Sequence, residues 1–130
     1  MNSSLPQEVL DQIARERAHF VNAPSAFFQA WKQGVAMAGP RLFGDGTREG
    51  WERSSDKWDL CPKTSLIKRT IGAMSSGEKV FLAALVSFYN SREGGALLKR
   101  CGVVGLADLG GLDLERRQVI TGLLLNYTGW

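Results

Sequence analysis

Residues 74–90, MSSGEKVFLAALVSFYN, constrain the fold more tightly than any other stretch. Ser75 and Glu78 stand three apart, the spacing at which each side chain satisfies the other's backbone N–H at a helix start. Behind them Val80, Phe81, Leu82, Ala84, Leu85, Val86, Phe88 and Tyr89 leave the helix apolar on most of its sides. Such a helix must be surrounded by protein, and at about 13 residues it falls short of the roughly 18 needed to span a bilayer. The pattern therefore predicts a central core helix over 76–90, with the rest of the chain packed around it.

The remaining segments read as helices of the surrounding layer. Near the N-terminus Ser4 and Gln7 form a second capping pair, Pro6 suits a first turn, and Glu8 and Asp11 complement the positive end of the dipole. Val9, Leu10, Ile13, the Arg17 stem and Phe20 fall on one helical stripe. Asn22 and Pro24 predict a break, then a second helix with the stripe Phe27, Phe28, Trp31, Val35 and Ala38, stopped by Gly39-Pro40. Helical spacing returns from Thr64 to Met74. Gly94-Gly95 and Gly102 bracket a short helix from Ala96 to Cys101, and residues 103–111 form a turn-rich link. Asp113 caps a last helix with Glu115 in its first turn and Val119, Ile120, Leu123, Leu124 and Tyr127 on its stripe. No segment alternates as a strand should. The expected fold is all-α, one domain of 130 residues built as a bundle of about five or six helices. Residues 1–38 are its N-terminal helix pair, 39–62 a long irregular connector, and 63–130 its C-terminal helical core.

Most chemistries lack their parts. The chain has one histidine, His19, and two distant cysteines, Cys61 and Cys101. A zinc site needs about four such ligands at short spacing. A catalytic triad on His19 has no partner that the sequence brings near it. GDGTREG at 44–50 matches neither phosphate-loop pattern, and it fits a calcium loop only in part, with Arg48, Arg53 and Lys57 interleaved among its acids. No metal, cofactor or catalytic residue is expected. The opening MNSSLPQEVLDQIARER lacks a signal peptide's basic-then-apolar order, so the chain is read as cytoplasmic with free thiols and no membrane span. Asn126-Tyr127-Thr128 matches a glycosylation acceptor only by chance on that reading.

Two surfaces stay as candidates. The connector GPRLFGDGTREGWERSSDKWDLCP carries Trp51 and Trp58 among charges. If Thr47 caps a short helix through Trp58, both rings share one face. They then either strap a polar segment to the core, the reading we favour, or form a protein-binding hot spot with Arg48 and Arg53. The second surface follows from charge. The net charge is +3, and residues 63–130 hold nine Lys/Arg against five Asp/Glu. Three adjacent pairs, Lys68-Arg69, Lys99-Arg100 and Arg116-Arg117, could hold nucleic-acid phosphates. Residues 97–112 outline a helix-turn-helix, but Gly105, Leu106, Ala107, Asp108 and Leu109 cannot read base edges, so a structural corner is expected there. The sequence thus points to a non-enzymatic protein-binding or regulatory module with an unidentified protein partner; nucleic-acid binding is the alternative.

Overall fold

A computed structural model describes residues 5–130. Its order is α1 (Gln7–Ala38), α2 (Arg48–Arg53), α3 (Thr64–Thr70), α4 (Ser76–Tyr89), α5 (Ser91–Arg100) and α6 (Leu114–Asn126). Short 3-10 turns cover Pro40–Leu42, Lys57–Leu60, Ile71–Ala73 and Leu106–Gly111. Among the described residues there is no strand, only an isolated antiparallel bridge between Phe43 and Pro62. The all-α expectation holds, and no described helix is long and apolar enough to cross a membrane.

The apolar run lies where its composition demands. Ser75 and Glu78 exchange the two hydrogen bonds of a capping box, and Phe81 to Val86 are buried without interruption. Helix α5 folds back on α4 through one residue, Asn90, whose side chain accepts from the Glu93 N–H. This corrects the short helix expected at Ala96–Cys101: α5 starts at Ser91 and takes in both glycines. Gly94 has to be glycine, because a Cβ there would stand 2.2 Å from the Ser87 backbone. In a glycine pair that reads locally as a breaker, Gly94 is in fact the contact between two helices, while Gly95 faces open space.

Helix α1 is the larger correction. The break expected at Asn22-Pro24 is absent, and one helix of 32 residues runs through Pro24. Pro24 removes one rung of the hydrogen-bond ladder. Its ring lies exposed while neighbouring Ala23 and Phe27 are buried, so packing on either side holds the helix together. Asn22 turns its amide back to the Ala18 carbonyl at 2.8 Å and stays helical. Pro6 occupies the N-cap position; the Ser4 half of the capping pair lies outside the described residues.

From Ala23 onward α1 is the bundle's second axis. Phe27, Trp31, Gly34 and Val35 face inward, and α6 runs antiparallel beside them. Gly34 faces Leu85 and Val119, and Gly122 faces Ala30. Asp113 caps α6 as expected, while only Val119 and Leu123 of its stripe are buried. The helix-turn-helix outline proves to be a corner: Asp108 accepts from the Val104 and Gly105 N–H groups, and a 3-10 turn follows in place of a second helix.

Candidate functional site

The connector is a closed strap. Gly44 N–H donates to the Cys61 carbonyl and Lys63 N–H to Leu42, so the two ends are zipped side by side. Gly44 needs its left-handed φ of 58°, and a Cβ there would fall 2.4 Å from the Asp59 carbonyl. The strap is held down by Leu42, Phe43 and Leu60, all nearly inaccessible, and Trp31 donates its indole N–H to the Leu60 carbonyl at 3.0 Å. These three apolar residues stand at the two ends of an otherwise polar segment, a pattern present in the sequence itself.

Trp51 and Trp58 do not share a helix. Thr47 caps α2 by accepting from the Gly50 N–H, but α2 stops at Arg53. Asp56 then caps a separate turn carrying Trp58, with Asp59 completing its capping box. Trp51 is half-buried; its indole N–H donates to the Lys32 carbonyl at 2.8 Å, and its ring packs on the core. Lys32 Nζ stands 5.1 Å and the Arg48 guanidinium 5.3 Å from that ring's centroid. The strap reading therefore describes Trp51. Trp58 remains 60% exposed, with its edge against Trp130. Arg53 pairs with Asp45 at 3.6 Å, so of the two arginines only Arg48 lies over a tryptophan ring.

A different feature unites the strap with α1. An open groove of about 1170 Å³ runs along Pro24, Phe28, Lys32 and Ala36, walled by Trp51, by Ser54 to Lys57 and by Thr128-Gly129 of the tail. Lys32 Nζ donates to the Glu52 and Ser54 carbonyls at 3.2 Å each, which ties the strap's middle to the helix. Lys57 Nζ donates to the Gly129 carbonyl at 2.8 Å and lies 5.4 Å from the Trp130 ring centroid. Trp130 itself sits among Phe27, Trp31, Trp58 and Tyr89. Neither Lys32, Lys57 nor Trp130 stood out in the sequence, because their roles depend on contacts across the fold.

The strap's acids act as caps and ties. Asp45 accepts from the Thr47 hydroxyl and N–H, and those bonds, with Arg53 nearby, hold its carboxyl below its ordinary range. Burial pushes both thiols above theirs, Cys61 near Trp58 and Cys101 near the Lys79 carbonyl. His19 Nε2 lies 2.9 Å from the Leu125 carbonyl and makes no hydrogen bond to either cysteine.

The basic pairs are divided. Lys68 pairs with Glu93, and Arg100 donates to the Lys68 carbonyl at 3.0 Å, so one residue of the 68–69 pair meets one of the 99–100 pair between α3 and α5. Arg116 pairs with Asp113 and covers the Phe81 ring, while Arg117 donates to the Leu112 and Gly110 carbonyls. Those two arginines fasten the start of α6 to the link before it. Searches against protein-family models, curated proteins and solved structures find no match to the chain.

Proposed function

We propose that the protein is a non-enzymatic protein-binding module that receives its partner in the groove between α1 and the strap. The groove itself carries this reading. It is long and open, has the apolar side chains of Phe28 and Ala36, and brings Lys32 and Lys57 to its walls. Its chemistry suits a segment of another protein that offers an apolar side chain and a carboxylate. Both lysines already hold backbone carbonyls, so an arriving carboxylate would add to formed contacts. We take the setting to be cytoplasmic, a reading that suits two free, partly buried thiols.

A photo-crosslinking amino acid at Gln33, inside the groove, tests this, with Gln118 on exposed α6 as the control. A discrete adduct in cells at position 33 and none at 118 is expected; equal labelling at both sites sinks the proposal. The nucleic-acid alternative would rest on Lys68, Arg69, Lys99 and Arg100, of which Arg100 lies against Lys68. It is the weaker reading because Glu93 offsets that charge and Arg116-Arg117 are engaged elsewhere. A salt titration on random duplex DNA decides it: absence of binding at about 50 mM salt removes the alternative.

A further inference from the structure

From Gln7 to Asn22 every residue of α1 is exposed except Ile13 and His19, which are half-buried. Yet the apolar stripe does not stop where the bundle does. At 3.6 residues per turn, Val9, Ile13 and Phe20 project within about 40° of the direction taken by Phe27 and Trp31. One helix thus carries one stripe, covered by the bundle from Ala23 onward and bare before it. Phe20 is 59% and Val21 78% exposed. The bare half is roughly 24 Å long. Its internal ties are four side-chain hydrogen bonds, Gln7 to Asp11, Gln12 to Glu16, Arg15 to Gln12 and Asn22 to the Ala18 carbonyl. Beyond these, the His19–Leu125 hydrogen bond is its one side-chain hydrogen bond to the bundle among the described residues, and a helix of this length with so little cover is marginal in water.

We propose that a second copy of this chain covers that stripe, by antiparallel pairing of the two α1 arms about a twofold axis between Glu16 and Arg17. The rest of the fold excludes a parallel pair. The bundle occupies the same side of α1 as the stripe, so two parallel arms would drive both bundles into the same space. Antiparallel arms carry the bundles to opposite ends. The register follows from the surface. Ile13, Glu16, Arg17, Phe20 and Val21 line a shallow hollow. With the axis at its middle, Ile13 of one copy meets Phe20 of the other, and each Arg17 reaches the other copy's Glu16. Val9 and Leu10 then arrive beside Pro24 of the second copy. Near that point the His19–Leu125 hydrogen bond holds the end of α6, where Leu124 and Leu125 are exposed. Two such short arms with the added leucines call for comparison with the lower end of specific interfaces, about 1,200 Å² in total. A reversible dimer with Kd of about 1–100 μM fits an interface of that size.

Sedimentation equilibrium of the full chain tests the pairing. The wild type should pass from monomer to dimer in that range, and Phe20→Glu should stay monomeric at ten times the concentration. Phe20 is exposed in the monomer, so an unchanged near-UV spectrum will show that the bundle of this variant is intact. Glu16→Arg and Arg17→Glu should each weaken association about tenfold. The double variant E16R/R17E, which recreates both cross-pairs with opposite polarity, should recover most of that loss. A wild type still monomeric near 1 mM overturns the proposal, as does a dimer indifferent to Phe20→Glu or a double variant no better than the singles. A chain that stays monomeric but co-sediments with phosphatidylserine vesicles would instead give the stripe to a membrane surface and also overturn it.

Discussion

The two halves of α1 have similar apolar stripes and opposite circumstances. After Ala23 the stripe is the wall of the core, with Trp31 and Val35 wholly inaccessible. Before it, Val9, Leu10, Phe20 and Val21 meet solvent. An amphipathic pattern thus shows which face of a helix seeks cover, while only the tertiary structure shows whether the same chain provides it.

The widest separation between the halves should appear in single truncations. Trp31→Ala should destabilise the protein by about 3–5 kcal/mol in urea unfolding. Phe20→Ala, measured in dilute monomer, should stay within about 0.5 kcal/mol. Equal effects would erase the distinction between covered and uncovered halves. At the boundary, Pro24→Ala restores a backbone donor in mid-helix and should stabilise by roughly 1–2 kcal/mol, less than the full helix-interior penalty because proline also restricts the unfolded chain. A loss of stability would mean that the proline sets a bend that the packing requires.

On the covered side, Lys32→Met keeps the stem but removes the bonds to Glu52 and Ser54. It should cost about 1–2 kcal/mol and expose the strap between α2 and Lys57 to limited proteolysis. Acid should give the gentlest discrimination. Asp45, Glu78, Asp108 and Asp113 accept cap or turn hydrogen bonds in the folded protein, which hold their carboxyls below their ordinary values. Depressed folded values mean that their contribution is complete above the unfolded values of about 3.9–4.3 and is lost as pH falls through the folded ones. The urea midpoint should therefore hold steady down to about pH 5 and decline toward pH 3. A midpoint that rises on acidification would contradict the capping roles.

The parts of the fold legible in sequence were those fixed by neighbours in the chain. The apolar run at 80–89 could only be central, and the Ser75–Glu78 and Asp113 caps depend on residues three apart. Pro24 and Gly94-Gly95 misled for a common reason. Both carry a local helix penalty, and both sit where long-range packing outweighs it: Ala23 and Phe27 flank the first, and the Ser87 backbone lies against Gly94 of the second. The candidate site was legible to a similar depth. Trp51 could be recognised as an anchor because a bulky ring in a polar loop needs somewhere to go. Lys32, Lys57 and Trp130 could not, since each acquires its role from a segment at least 20 residues away. The basic pairs were visible as charge, but the arginines that serve as fasteners looked the same as those left on the surface.

Pro24 also limits how far a disturbance can travel. Helix melting propagates residue by residue along an unbroken ladder of N–H donors, and here one donor is missing near the junction of the two halves. Fraying that begins at Gln7 therefore loses its zipper-like cooperativity near that point. Amide hydrogens before residue 23 should exchange as a fast group and those from Phe27 onward as a slow one, so the arm can unwind and rewind many times while the bundle stays folded.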